Sequence, residues 1–418
     1  MNFYSNKYFY IVIVITLLSI KPSTSGWNDA SRMATIQSLV EHHTFIIDDS
    51  DFIGTGDKVF INGHYYSDKP VAASVIGAIV YFPLYYMGVE LEQDANLAYY
   101  LIVLIAIKFF WLAGLFYFYK SLVILGAERN TCLVSTTALG FCSLYFTWSA
   151  VFNNHLIAAS CLIPGFYYIL KYRYVEPLSH NVFNAGLFFA LAGCLDHATA
   201  IFFVGFAIYI YLSRSTNRKA QFYYFIPLVF TVIPILTINY LISGQFLPFQ
   251  LVSSYFVYDG SVWTKGKTLT GAKVNDLLFM IEYGSKMLFW EKGFIIYNPL
   301  LIIGIPCLIM EIVKKRTYYK EAIVTGICSV IIILYYVATS RNYSGGSYSI
   351  RWFIPLLPFL LIFIFRYLEH IEIPGRKQIF TFLCIVSCLF ALIGIIDPWT
   401  SKKYGDVPIY ANLLELIS

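Results

Sequence analysis

Residues 97–119 read LAYYLIVLIAIKFFWLAGLFYFY, with one charge, Lys108, in the whole run. A helix needs about 20 mostly apolar residues to cross a bilayer, and no soluble core helix needs so many. The run is followed by Lys120, Glu128 and Arg129, a short basic connection, and then by another apolar run. Working outward, apolar runs recur at 4–20, 71–89, 131–149, 155–170, 182–195, 197–213, 221–242, 297–313, 322–339, 351–368 and 378–396. The chain of 418 residues is 58% hydrophobic and 13% charged. Soluble domains are about 25% charged, so a soluble enzyme and a disordered chain are both excluded. The net charge of +5 is too small to point to nucleic acid.

Charge sets the orientation. The connections 120–130, 171–181, 213–220, 314–321 and 366–377 hold 14 Lys or Arg against 5 Asp or Glu. Basic connections stay in the cytoplasm. Lys7 puts the N-terminus on the same side, so run 4–20 exits and run 97–119 re-enters. Run 71–89 then has no parity left to cross, and reads as a juxtamembrane or re-entrant element on the external side. The expected fold is an all-α polytopic membrane protein of about 11 transmembrane helices plus external juxtamembrane helices. It forms one domain over 1–418, with external loops at 21–96 and 243–296, an internal N-terminus and an external C-terminus. Run 4–20 ends in Ser23-Thr24-Ser25-Gly26, which also suits a cleaved signal peptide. The eight cysteines all lie in apolar runs and read as small apolar fillers. Neither their spacing to histidine nor any other spacing suggests a metal site.

Polar groups near the membrane face are costly, so they carry the functional hypotheses. In loop 21–96, Asn28 or Asp29 stands where a helix N-cap belongs. Ala30, Met33, Ile36, Gln37 and Val40 share one face, which predicts an amphipathic helix on the membrane surface. Asp29 and Arg32 lie one turn apart on it and form either a cap with a local ion pair or a base with its partner. Next comes Asn62-Gly63-His64-Tyr65-Tyr66-Ser67-Asp68-Lys69-Pro70. Pro70 suits a first helical turn, which leaves Asp68 and Lys69 at the interface, beside a helix N-terminus fit for an anion. A third string, Gly345-Gly346-Ser347-Tyr348-Ser349-Ile350-Arg351, brings an arginine to the same face, where it can grip a phosphate bidentately. Weaker candidates are His64, Tyr348, the pair Asn154 and His155, and the pair Asp196 and His197. Asp196 breaks the apolar stretch 182–213, and both pairs also read as polar turns.

Together these strings resemble the multi-spanning glycosyltransferases of the GT-C class, above all the protein O-mannosyltransferases and the lipid A aminoarabinose transferases (family 39-like). Those show an Asp-Glu-Ala-Arg-like string after the first span, matched here at Asp29 and Arg32 with Ala30 at the glutamate. Their Glu-Lys-Pro-Pro string is matched by Asp68, Lys69 and Pro70, with Val71 at the second proline. Many bacterial members carry Gly-Gly-x-Ser-Tyr-Gly-x-Arg, which Gly345–Arg351 resembles with Ser349 at its last glycine. The resemblance covers about 60 residues of the first loop and about 15 near Arg351, by the positions quoted. The alanine at 30 argues against paired carboxylates there and against a metal.

The resemblance implies a polyprenyl-phosphate-linked sugar as donor and transfer at the external face of a bacterial cytoplasmic membrane. The acceptor is then a protein, a lipid or a glycan. It implies Asp29 as general base. It implies Lys69 and Arg351 on the donor phosphate, with Arg32 and Asp68 beside them, and an inverting displacement. No nucleotide-binding glycine loop is present and no cofactor is expected. A transporter or flippase of lipid-linked substrates is the alternative, favoured by internal pseudo-symmetry and mid-span charges; Lys108 is the clear mid-span charge. A non-catalytic scaffold is a third.

Overall fold

The computed structural model describes residues 7–213, 218–263, 273–400 and 407–417. The start of the first run, part of the 213–220 connection and residues 264–272 of the second loop lie outside the described residues. Each apolar run folds as helix, because lipid leaves no other partner for backbone N–H and C=O groups. Among the described residues, five helices are long and apolar enough to cross a membrane: Leu97–Ile124, Arg218–Ser243, Tyr319–Thr339, Arg351–His370 and Arg376–Ile396. Val71–Tyr86, His197–Leu212 and Leu301–Val313 are apolar but shorter. The chain is an integral membrane protein, mostly helical. At its centre Asn154–Tyr174 packs along both Ser179–Leu195 and the helical span 97–124.

The bundle has two chemically different ends. At one, the basic connections meet. Tyr318 Oη donates to Ile124 O at 2.8 Å, Glu128 N to Glu369 at 2.8 Å, and Tyr174 Oη to Glu321 at 2.9 Å. At the other end, Lys21 N donates to Ala150 O at 2.9 Å, Lys21 Nζ donates to Ile396 O, and Asn96 N donates to Pro22 O at 3.2 Å. The chain therefore starts helix Leu97–Ile124 at the level where helix Lys7–Leu18 has just ended. Helix Val71–Tyr86 returns to that level: Lys69 before it pairs with Asp57, and Leu91 after it bonds Gln37.

The segment 21–96 departs from the sequence reading in three ways. The helix spans Trp27–Glu41 with Gly26 at the N-cap, so Asp29 stands three residues into the helix. It is not a surface helix with one wet face: eleven of its fifteen residues are buried. Helix Val71–Tyr86 lies against it so closely that a Cβ on Gly77 would collide with Ile36 Cδ1. The fold is also not wholly helical. Lys58–Ile61 and His64–Ser67 form an antiparallel hairpin. Asn62 and Gly63 turn it with φ of 53° and 92°, the two positive values that a two-residue primed turn demands. The helix after it begins at Val71, with Pro70 as its cap.

Candidate active site

A cavity of about 1170 Å³ opens at the end that carries segment 21–96. Its lining includes the start of helix Trp27–Glu41, Asp57 before the hairpin and the turn Asp68–Pro70 after it, Asn154-His155 with the break at Asp196-His197, Lys286, Glu291 and Lys292, Arg341, and Arg351.

Arg32 is 1% exposed. Its Nη1 donates to Asn28 O at 2.8 Å and to the Asn28 side chain, and its Nη2 donates to Asn154 Oδ1. Asn154 is aimed by its own donation to Leu195 O at 2.8 Å. The ion pair of Arg32 with Asp29 does not form. Arg351 comes from a loop in which Tyr343, Ser344 and Ser349 all have positive φ. Ser344 Oγ accepts from Arg351 N at 3.3 Å, and the guanidinium lies 4.9 Å from the Trp399 ring centroid. The Nε atoms of both arginines are buried without a hydrogen-bond partner. Among the described residues no carboxylate lies within salt-bridge distance of either. Burial and then the charge of Arg351 push Arg32 down to about 10, opposed by Asp68, Asp57 and Asp29. Arg32, buried, and Arg351, partly exposed, face one cavity, and their Nε–H groups have no partner.

Lys69 is differently placed. Its Nζ lies 2.7 Å from Asp57 and 2.9 Å from Asp68, so two carboxylates already answer its charge. Burial pushes Asp68 up to about 6, with Lys69 opposing. Asp57 is a wall residue that the sequence reading did not single out. His155 Nδ1 pairs with Asp196 at 2.7 Å, and His197 stands on the wall beside them.

Three sequence candidates lie elsewhere. Asp29 is fully buried and not on the wall. Its carboxylate accepts from the backbone N–H groups of Ser25 at 3.2 Å, Gly26 at 3.0 Å and Ala30 at 3.1 Å, and from Tyr99 Oη at 3.3 Å. This is the reach-back of a capping box, and it turns the group away from the cavity. Burial pushes it up to about 7 against those bonds. His64 is exposed at the hairpin and pairs with Asp48 at 2.8 Å. Tyr348 is buried, donating to Phe390 O at 2.8 Å.

Compared by sequence, the chain matches no protein-family model and no curated protein. Compared by structure, it matches membrane glycosyltransferases. ArnT from Cupriavidus metallidurans in the apo state superposes with a TM-score of 0.61 at 11% identity, over 98% of this chain and 67% of that one. The same protein bound to undecaprenyl phosphate gives 0.62 at 10% identity, over 98% and 68%. The Archaeoglobus fulgidus oligosaccharyltransferase in the apo form gives 0.51 at 10% identity, over 96% of this chain and 57% of that one. The chain thus has the fold that these GT-C glycosyltransferases share.

Proposed function

We propose that the chain is a glycosyltransferase that moves a sugar from a polyprenyl-phosphate-linked donor to an acceptor at the external face of a bacterial cytoplasmic membrane. It crosses the membrane about eleven times as one domain, with segments 21–96 and 243–296 outside. The observation that carries the reading is the pair Arg32 and Arg351. Burying an uncompensated charge costs several kcal/mol, so two such charges facing one cavity call for an anion. A lipid phosphate is the anion available at that depth, and the ArnT structure of the same fold holds undecaprenyl phosphate.

In this reading the donor's lipid tail stays in the bilayer, its phosphodiester sits between Arg32 and Arg351, and its sugar enters the cavity. The acceptor oxygen attacks the anomeric carbon. The bond to the phosphate oxygen breaks, and its electron pair leaves with the polyprenyl phosphate, which gains one negative charge. Arg32 and Arg351 are fixed in place before that charge grows, so stabilising it needs little reorganisation. Lys69, held by its two aspartates, shapes the wall and is not the primary phosphate contact. Asp29 fixes the helix start that presents Asn28 and Arg32. Protein, lipid and glycan acceptors all fit an open cavity of this size.

Binding of undecaprenyl phosphate to the purified protein in detergent tests the reading. Arg32→Gln with Arg351→Gln is expected to abolish it. Equal binding by the wild type and the double variant would overturn the phosphate site, and with it the function.

A further inference from the structure

The transfer step needs a base for the acceptor proton, and the aspartate that the sequence favoured for it is sealed behind the wall. We infer that Asp57 is the catalytic base; this rests on the glycosyltransferase reading. Four carboxylates line the cavity: Asp57, Asp68, Asp196 and Glu291. Asp196 is buried with one oxygen on His155 at 2.7 Å, whereas Asp57 is partly exposed. Glu291 is exposed, and an exposed carboxylate stays solvated and is a poor base for a sugar hydroxyl. Asp68 Oδ2 accepts from Lys69 Nζ at 3.0 Å, and its Oδ1 is buried 2.9 Å from the same nitrogen, closed to an incoming acceptor. Asp57 gives Lys69 one oxygen, Oδ2, at 2.7 Å. Its Oδ1 has no partner among the described residues. Asp57 is also within electrostatic reach of both Arg32 and Arg351.

The backbone around Asp57 is held from several sides. Its own N donates to Thr55 Oγ1 at 3.2 Å, and Thr55 Oγ1 donates to Trp27 O at 2.9 Å. Trp263 Nε1 donates to Gly56 O at 3.0 Å. Ser31 Oγ donates to Asp57 O at 2.5 Å. Such fixing is what a positioned base requires. The step balances: the acceptor O–H proton goes to Asp57 Oδ1, the oxygen bonds the anomeric carbon, and the polyprenyl phosphate departs with the electron pair. Asp57 ends neutral, and the phosphate carries the charge that Asp57 lost. Lys69 is then a positioning residue. It holds Oδ2 at 2.7 Å and leaves Oδ1 free for the acceptor.

The test replaces the chromosomal copy in the source strain with Asp57→Asn, Asp57→Glu, Asp68→Asn or a deletion. The glycan that the deletion removes is measured at matched membrane levels of protein, and undecaprenyl phosphate binding is measured on each purified variant. Asp57→Asn is expected to lose the glycan, with turnover down roughly 10²–10⁴-fold, and to bind undecaprenyl phosphate like the wild type. Asp57→Glu should recover part of the glycan, and Asp68→Asn should reduce it far less than Asp57→Asn does. Wild-type glycan levels in Asp57→Asn would overturn the assignment. So would loss of undecaprenyl phosphate binding together with the glycan, since Asp57 would then serve the phosphate site or the fold. A deletion that removes no glycan, or a wild type that binds no undecaprenyl phosphate, would fail the underlying function instead.

Discussion

The two ends of the bundle treat buried charge in opposite ways. At the basic end, Glu311 is fully buried and meets Arg366 at 3.1 Å and Tyr318 N at 3.1 Å. Glu321, also fully buried, accepts from the hydroxyls of Tyr174 and Tyr209 on Oε1 and leaves Oε2 without a partner. These groups tie five helices and the loop before Tyr319 into one seam. At the cavity end, Arg32 is as deeply placed and Arg351 is partly exposed, and among the described residues neither has a carboxylate in contact. A paired buried charge fastens the fold. An unpaired one strains it until a ligand arrives, and in the proposed reading that ligand is the donor phosphate.

The comparison breaks most visibly at the arginines. A charge-assisted hydrogen bond is worth about 1.5–3 kcal/mol, so losing both arginines should weaken undecaprenyl phosphate binding by roughly 10²–10⁴-fold. Arg351→Gln alone should weaken binding and raise the melting temperature of the ligand-free protein, because it removes one of two like charges. A lower melting temperature would mean that Arg351 already has a stabilising partner. At the other end the signs reverse. Glu311→Gln leaves Arg366 unanswered and should destabilise by about 3 kcal/mol, read by thermal denaturation in detergent. Its affinity for undecaprenyl phosphate should not change.

Much of this contrast is legible in the sequence. The five basic connections place one end, and the hydropathy of 351–368 puts Arg351 at the other. Asp196 breaks its helix pair where its charge demands. What the sequence hides is which polar groups meet. Asp57 lies in the loop before the hairpin, where no periodicity marks a residue, and only the folding of Lys58–Ser67 sets it beside Lys69. The Asn62-Gly63 turn was available as a hairpin signal, but the apolar surroundings favoured an all-helical reading. Asp29 and Arg32 have ion-pair spacing, yet the free N–H groups at residues 25, 26 and 30 compete for the carboxylate and win. A helix start offers several donors at once, and one arginine cannot match them.

The pH dependence sharpens the cavity side. As pH falls through about 6, Asp68 takes up a proton and releases its hold on Lys69. Lys69 then falls wholly to Asp57 and competes with the acceptor hydroxyl for its carboxylate, so transfer should decline below pH 6. The arginines stay charged throughout, and a phosphate monoester takes up its own second proton near pH 6, so Asp68→Asn should bind undecaprenyl phosphate with the pH dependence of the wild type. A binding profile that changes in Asp68→Asn would place the titrating group in the phosphate site.

The smallest effect is expected at the residue that sequence alone ranks first. Asp29→Asn keeps size and polarity but loses an acceptor oxygen where four donors converge. Loss of a cap costs about 1 kcal/mol, a drop of a few degrees in melting temperature, and transfer per folded molecule should stay within about threefold. The drop should itself depend on pH. Burial holds Asp29 up near 7, above its ordinary 3.8, so the folded state binds the proton more tightly than the unfolded chain. The resulting stability is fully present below about pH 4 and is lost as pH rises through 7. The amide that replaces the carboxyl does not titrate, so the deficit of the variant should be widest in acid and should narrow above pH 7. A variant that melts like the wild type at every pH but transfers 10²-fold more slowly would return the base to Asp29, and would require helix Trp27–Glu41 to open toward the cavity when substrate binds.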